Sequence, residues 1–339
     1  MRKHPASLDE FRGLFSESSD ARQWPHVASA VSYRRAIAEL AEELGCEATE
    51  AAVLERRLSA TPVEHAARLL EATGTEALLL DDGYPSPDEA LTLEEMSELA
   101  GCPAWPVLRV ERVADEGLAG GDDLPALRER IREEVATARI RGYVALKTIA
   151  AYRTGLDVGE PDTDEVEAAF AASGKRLEAK PLVDRILRDA LEANRGDPLP
   201  VQVHAGFGDA DLLLPAANPA FLKTVLERFD ETPFVLLHCY PFVREAGWLA
   251  HVYPNVFFDL SLTIPHAARP AEHLGQALEL APVSKLLYAS DAARAPELYF
   301  LAARRWREAL AEALPDLVDE PEDAARAILR DNAHALYRL

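Results

Sequence analysis

Three residues close apolar runs and share a chemistry. His204 ends LPVQVH and leads into the Gly- and Asp-rich AGFGDAD, His238 ends FVLLH ahead of Cys-Tyr-Pro, and Asp291 ends KLLYASD. Two neutral imidazoles and a carboxylate suit a divalent cation, Zn2+ first and Mn2+ or Fe2+ as alternatives. A carboxylate that also takes a proton from bound water makes a hydroxide nucleophile available near neutral pH. A single histidine in such a place is more often structural than a ligand, but three residues in equivalent places call for a common explanation. His204, His238 and Asp291 are therefore the expected metal ligands, with His238 and Asp291 the expected catalytic groups.

Lys147 ends YVALK and leads into TIAAYRTGL, which supplies Tyr152 and Arg153. The arginine fork matches a carboxylate in bidentate fashion, so Arg153, Lys147 and Tyr152 are the expected binding residues for a small carboxylate-bearing substrate. A solvated lysine at a strand end is the competing expectation for Lys147. Strand alternation about Val110 sets Arg109 and Glu111 of PVLRVE on one side; it also pairs Gln202 with His204 and Leu236 with His238, which would turn both histidines into one mouth. Of the other histidines only His266, in TIPHAARP, follows a strand closely enough to reach that mouth. Cys239 is expected to face away from His238 as a small buried residue.

These side chains need elements to place them. Residues 7–73 read as a helical block: Ser7 precedes LDEF as an N-cap, while SYRRAIAELAEELG and TPVEHAARLLEATG carry apolar residues at three- and four-residue spacing before a terminal Gly. Seven apolar runs then alternate with helical segments, at 77–82, 106–111, 143–147, 199–204, 234–238, 256–262 and 285–291. Such alternation calls for parallel strands with helices packed outside. No GxGxxG or GxxxxGK[ST] occurs, so a (β/α)8 TIM-type barrel is favoured over a doubly wound sheet. One domain over 1–339 is expected, with an N-terminal helical insertion at 7–73 and barrel strands from 74 on. DDGYPSPDE, 81–89, reads as a strand-to-helix connection.

The net charge of −22, from 58 acidic and 36 basic residues, opposes binding to nucleic acid or anionic membranes. The three cysteines include no CxxC pair, which argues against a disulfide framework and suits a reducing cytoplasm. No apolar stretch long enough for a signal-peptide core or a bilayer span is evident. A soluble cytoplasmic protein with a small-molecule substrate is expected, and a homo-oligomer is compatible with all of this.

Beyond these residues, VQVHAGFGDADLLL, VLLHCYPFVREAGWLA, FFDLSL, LLYASDA and ILRDNAHALYRL together resemble the amidohydrolase-related family, in the branch found fused to glutamine-synthetase-like domains. The most specific pieces are H-x-G-x-G-D at His204–Asp209, ALKTIAAYRTGL, and N-A-x-x-L-Y at Asn332–Tyr337. The resemblance implies a metal-dependent barrel hydrolase acting on an amide or related C–N bond. It matches His204 and His238 to the family's histidines after the fifth and sixth strands and Asp291 to the aspartate after the eighth. Lys147 falls where members carry a fourth-strand Lys or Glu, sometimes a carboxylated bridging Lys, and so joins the expected ligands. The family's first strand ends in H-x-H, and no H-x-H occurs here. The first strand is thus expected to be missing, with either a gap between the strands at 77–82 and 285–291 or a partner's segment filling it, and with weakened metal occupancy. The alternatives are an inactive or truncated barrel serving as a small-molecule or protein-binding module, and a decarboxylase of the same superfamily.

Overall fold

The computed structural model describes residues 3–84 and 90–339. Each short apolar run contributes a strand: β1 Leu78–Asp81, β2 Ala104–Arg109, β3 Ala145–Thr148, β4 Val201–Ala205, β5 Phe234–His238, β6 Val256–Asp259 and β7 Leu286–Leu287. They form one seven-stranded parallel sheet in chain order. Among the described residues β1 pairs with β2 alone and β7 with β6 alone, which leaves a gap between the first and last strands. The fold is a (β/α) barrel lacking one strand.

Alternation sorts the side chains. Val107, Ala145, Val235, Leu237 and Leu287 meet inside the barrel around Tyr337 from the C-terminal helix Asn332–Tyr337, while Leu108, Leu146, Val203, Leu236 and Phe258 fill the layer beneath the outer helices. The Tyr337 hydroxyl accepts from Gln202 Nε2 at 3.1 Å, and Asn332 Nδ2 donates to the carbonyls of Val283 and Leu286 at 2.9 Å each. The N-A-x-x-L-Y run therefore plugs the barrel and ties the plug to its last strand.

The helical block comprises α1 Leu8–Gly13, α2 Trp24–Val27, α3 Val31–Leu44, α4 Glu50–Leu58 and α5 Pro62–Thr73. Ser7 caps α1 by accepting from Glu10 N, and Thr61 with Glu64 forms a reciprocal capping box on α5. The block's own core of Phe11, Ile37, Leu40 and Leu69 reaches Phe300 and Leu301 on the helix Pro296–Ala313, which follows β7. Two buried ion clusters reinforce this seam. Glu297 accepts from Arg57 and, at 2.8 Å, pairs with His65 Nε2; Arg305 Nε donates to Glu39 Oε2 at 2.9 Å.

Several boundaries differ from the sequence expectation. PVLRVE is not one strand: β2 stops at Arg109, and Val110 begins the helix Val110–Gly120. Glu111 is thereby separated from Arg109 and buried, accepting from Thr148 Oγ1 at 2.5 Å. VFFDLSL leaves the sheet after Asp259, and KLLYASD after Leu287. Of DDGYPSPDE, residues 85–89 lie outside the described residues. Among the described residues, no helix is long and apolar enough to cross a membrane.

Burial pushes the Glu297 carboxyl up, but His65 and Arg57 outweigh it and bring it down to about 2. Because the folded value lies below the ordinary 4.5, the cluster stabilises the fold above that pH and loses the contribution as pH falls from about 4.5 towards 2. Glu297→Gln should lower unfolding stability by roughly 3–5 kcal/mol at neutral pH and flatten this acid-induced loss, as read by urea denaturation at a series of pH values.

Candidate functional site

At the C-terminal ends of β1, β2 and β3 the inward side chains are Asp81, Arg109 and Lys147. Lys147 Nζ lies 2.9 Å from Asp81 Oδ2, and Arg109 Nε donates to Asp81 Oδ1 at 3.0 Å. Burial would raise the Asp81 carboxyl, yet Lys147 and Arg109 hold it down at about 2. Lys147 is only 8% exposed, so it is no solvated strand-end lysine.

His238 reaches the mouth by an unexpected route. Leu236, two residues earlier, lies in the outer layer, so regular alternation would send His238 there too; the pairing of Leu236 with His238 on one face is corrected accordingly. The backbone instead turns left-handed, with φ of 67° at His238 and 65° at Cys239. For non-Gly residues this costs roughly 1–2 kcal/mol each. Cys239 still faces outward and is fully buried, which pushes its thiol well up.

Asp259, at the end of β6, holds this turn. Its Oδ1 accepts from His238 N at 2.8 Å, from Ser261 N at 2.9 Å and from Ser261 Oγ at 2.7 Å. Thr263 Oγ1 donates to the His238 carbonyl at 2.6 Å. Burial raises the Asp259 carboxyl to about 6, even though the amides of His238 and Ser261 and the Ser261 hydroxyl pull the other way. The ring is gripped as well, with Nδ1 at 2.6 Å from Ser261 Oγ.

His204, on β4, points inward as alternation requires, and its Nδ1 lies 3.0 Å from His238 Nε2. Burial, then His238 and Lys147, press the His204 imidazole well below its usual range; burial, then Lys147 and His266, do the same to His238. Both rings are neutral at physiological pH. Tyr152 packs on His204 with ring centroids 4.6 Å apart, and its hydroxyl accepts from Asp209 N at 3.1 Å. The glycines of H-x-G-x-G-D have steric causes: Gly206 adopts φ of 75° against the Tyr240 carbonyl, and a Cβ on Gly208 would strike the Tyr152 hydroxyl and sit 3.1 Å from His204 Nε2.

Asp291 also reaches the mouth, with φ of 50° and Oδ2 3.9 Å from His238 Nδ1, on the Ser261 side of the ring. Burial raises its carboxyl against the opposing pull of Lys147 and His204. Arg153 lies beyond Tyr152, where Nη2 donates to Asp115 at 2.7 Å while Nε and Nη1 are buried without partners. His266 stands 4.0 Å from Glu17, delivered by the segment between α1 and α2; burial, then Asp291, raise that carboxyl to about 7. Sequence reasoning missed Asp81, Asp259, Ser261, Thr263 and Glu17. Asp81 and Asp259 each close a strand, the signal that marked His204, and Ser261 follows two residues after Asp259; Glu17 offered none.

In donor type and charge state the facing nitrogens His204 Nδ1 and His238 Nε2 fit a divalent cation, and His204 Nε2 is a buried polar atom without a partner. Among the described residues, no group of three or more His, Cys, Asp or Glu is arranged to hold an ion. The fit therefore extends to this pair. Lys147, expected as a further ligand, is engaged by Asp81. A groove of about 340 Å³ lined by Arg109, Arg112, Arg153 and Lys175 together with Asp115 and Glu116 adjoins the rim; a larger one of about 1010 Å³ lies away from it, along the outer helix Leu124–Ala138.

Comparison with known proteins agrees with the barrel fold. A family model described as amidohydrolase matches residues 90–339. Protein fluG of Emericella nidulans is 33% identical over 312 residues, covering 78% of this chain, and the chain spans 36% of that protein. A crystal structure from Lactobacillus casei, provisionally described as a metal-dependent hydrolase, superposes with a TM-score of 0.89 at 31% identity over 99% of this chain and 92% of its own. Uronate isomerase of Thermotoga maritima shares the fold, with a TM-score of 0.66 at 16% identity over 99% and 89% of the two chains.

The contact at Gly208 makes a direct test of the site. Gly208→Ala should destabilise the protein by about 1–3 kcal/mol through overpacking, and Tyr152→Phe, which removes the struck hydroxyl, should recover part of that loss. A double-mutant cycle read by denaturation checks it: strictly additive losses would mean that the two residues do not meet.

Proposed function

The chain belongs to the amidohydrolase family, and on that premise we propose that it is a metal-dependent hydrolase that cleaves an amide or related C–N bond in a small carboxylate-bearing substrate. The observation that carries this reading is the 3.0 Å approach of two buried, neutral imidazoles at the barrel mouth. His204 and His238 would hold a divalent ion, Zn2+ foremost. Such an ion acidifies water towards neutral pH and polarises a carbonyl.

The chain's own groups do the rest. Asp291, beside His238 and with a raised carboxyl pKa, is placed to take a proton from the attacking water and return it to the leaving nitrogen. The Tyr152 hydroxyl accepts from Asp209 N and keeps its own proton for a substrate oxygen. Lys147 and Arg109 share Asp81 as their counter-ion and so leave a positive excess at the opposite rim, and the two unpartnered donors of Arg153 mark the side on which a substrate carboxylate would lie. A barrel that binds without catalysis is the second reading, favoured by the convergence of only two donors among the described residues. A decarboxylase would use the same groups on a different bond.

The full chain, purified without chelator, is expected to retain well over about a tenth of an equivalent of Zn, Mn or Fe and to hydrolyse some member of a panel of N-acyl amino acids. His238→Ala should remove both properties. Metal below that level together with no hydrolysis across the panel would overturn the hydrolase assignment in favour of the binding module.

A further inference from the structure

The hydrogen bonds behind His238 determine more than where its ring sits. Asp259 Oδ1 is surrounded by three donors, the amides of His238 and Ser261 and the Ser261 hydroxyl, which leaves no room for a proton on that oxygen. The single Ser261 proton must then lie between Oγ and Oδ1, because two bare oxygens would not rest 2.7 Å apart. With that proton spent, the Ser261 oxygen faces His238 Nδ1, 2.6 Å away, only as an acceptor.

We infer that Ser261, oriented by Asp259, is a positioning residue that locks His238 in its Nδ1–H tautomer and so presents the Nε2 lone pair to the barrel mouth. A neutral imidazole carries one N–H, and Ser261 claims it. Across the 3.0 Å contact His204 must then donate from Nδ1 when no cation is bound, which leaves its own Nε2 bare. The lock gives a role to the carboxylate that ends β6 and to the hydroxyl two residues on, both of which act on the residue with left-handed backbone. Its meaning for function rests on the hydrolase reading; the tautomer does not.

The test uses the full chain labelled with 15N-histidine, freed of metal by dialysis against chelator, at neutral pH. Long-range 1H–15N correlation distinguishes the two neutral tautomers, with His238→Gln used to assign the resonance. Wild type is expected to show His238 protonated at Nδ1. Ser261→Ala should lose that single state, giving the other tautomer or a mixture, while Ser261→Thr, which keeps the hydroxyl, should retain it. Zn2+ affinity should fall by about 10- to 100-fold in Ser261→Ala and recover in Ser261→Thr. A wild-type Nε2–H tautomer overturns the inference by itself, whether or not any variant folds, and so does a folded Ser261→Ala that stays wholly Nδ1–H. If the tautomers behave as expected but wild type binds no Zn2+, the lock stands and the metal-dependent reading falls.

Discussion

The site depends on one backbone constraint, the left-handed turn at His238 and Cys239. A regular strand would have carried the imidazole of His238 into the apolar layer under the helices, beside Leu236, and left His204 alone at the mouth. The turn is kept because Asp259 takes the His238 amide and Thr263 takes its carbonyl, so two groups that β pairing would otherwise use are satisfied by side chains. The strain of roughly 1–2 kcal/mol per residue is comparable to a single hydrogen bond to a charged group. Yet Asp259 itself keeps a carboxyl pKa of about 6, above the ordinary value, so its donors do not fully offset its burial. Backbone strain and an incompletely compensated carboxylate thus occur at the same place, where preorganisation of a ring is what the strain accomplishes.

A second dependence runs from the helical block to the mouth. The seam along Pro296–Ala313 joins apolar packing of Phe300 and Leu301 to the ion clusters at Glu297 and Arg305, and it begins only five residues after Asp291. That helix anchors the far end of the short segment that leads from Asp291. The same block carries Glu17 to His266, so the helices before β1 share in the electrostatics of the mouth. On the other side, Asp81 on the unpaired flank of β1 draws Arg109 from β2 and Lys147 from β3, and these ion pairs join three strand ends at the edge of the array.

The sequence made the parallel strands and the helical block legible because apolar periodicity, caps and terminal glycines are local signals. It also made His204 and Lys147 legible, since both sit where alternation alone would put them. It was misleading at PVLRVE, where Val110 and Glu111 continue the alternation although the chain has already entered a helix, because β-branched and acidic residues are acceptable at a helix start as well as in a strand. At His238 the expected outcome was right and its argument was not. A positive φ at a non-Gly residue leaves no compositional trace; it exists because Asp259 and Thr263, more than twenty residues away in the chain, supply the hydrogen bonds that hold it. Ser261 and Asp259 were overlooked for the same reason, since their partner is fixed by tertiary structure rather than by spacing.

The electrostatics of the mouth follow from these placements. Burial drives each group there towards its uncharged form: His204 and His238 shift down, Asp291 and Glu17 shift up, and the Lys147 charge is answered by Asp81. Lys147 adds to the effect at the two imidazoles, where it disfavours a second positive charge, and opposes it at Asp291, whose anion it favours. Neutral nitrogens facing one another are costly to bury without a shared proton or a shared cation between them, and a cation would oppose the upward shift at Asp291, since a nearby positive ion stabilises a carboxylate. The two imidazoles, almost wholly withdrawn from water, are tuned together, while Asp291, whose side chain is 35% exposed, is the group there that solvent still reaches.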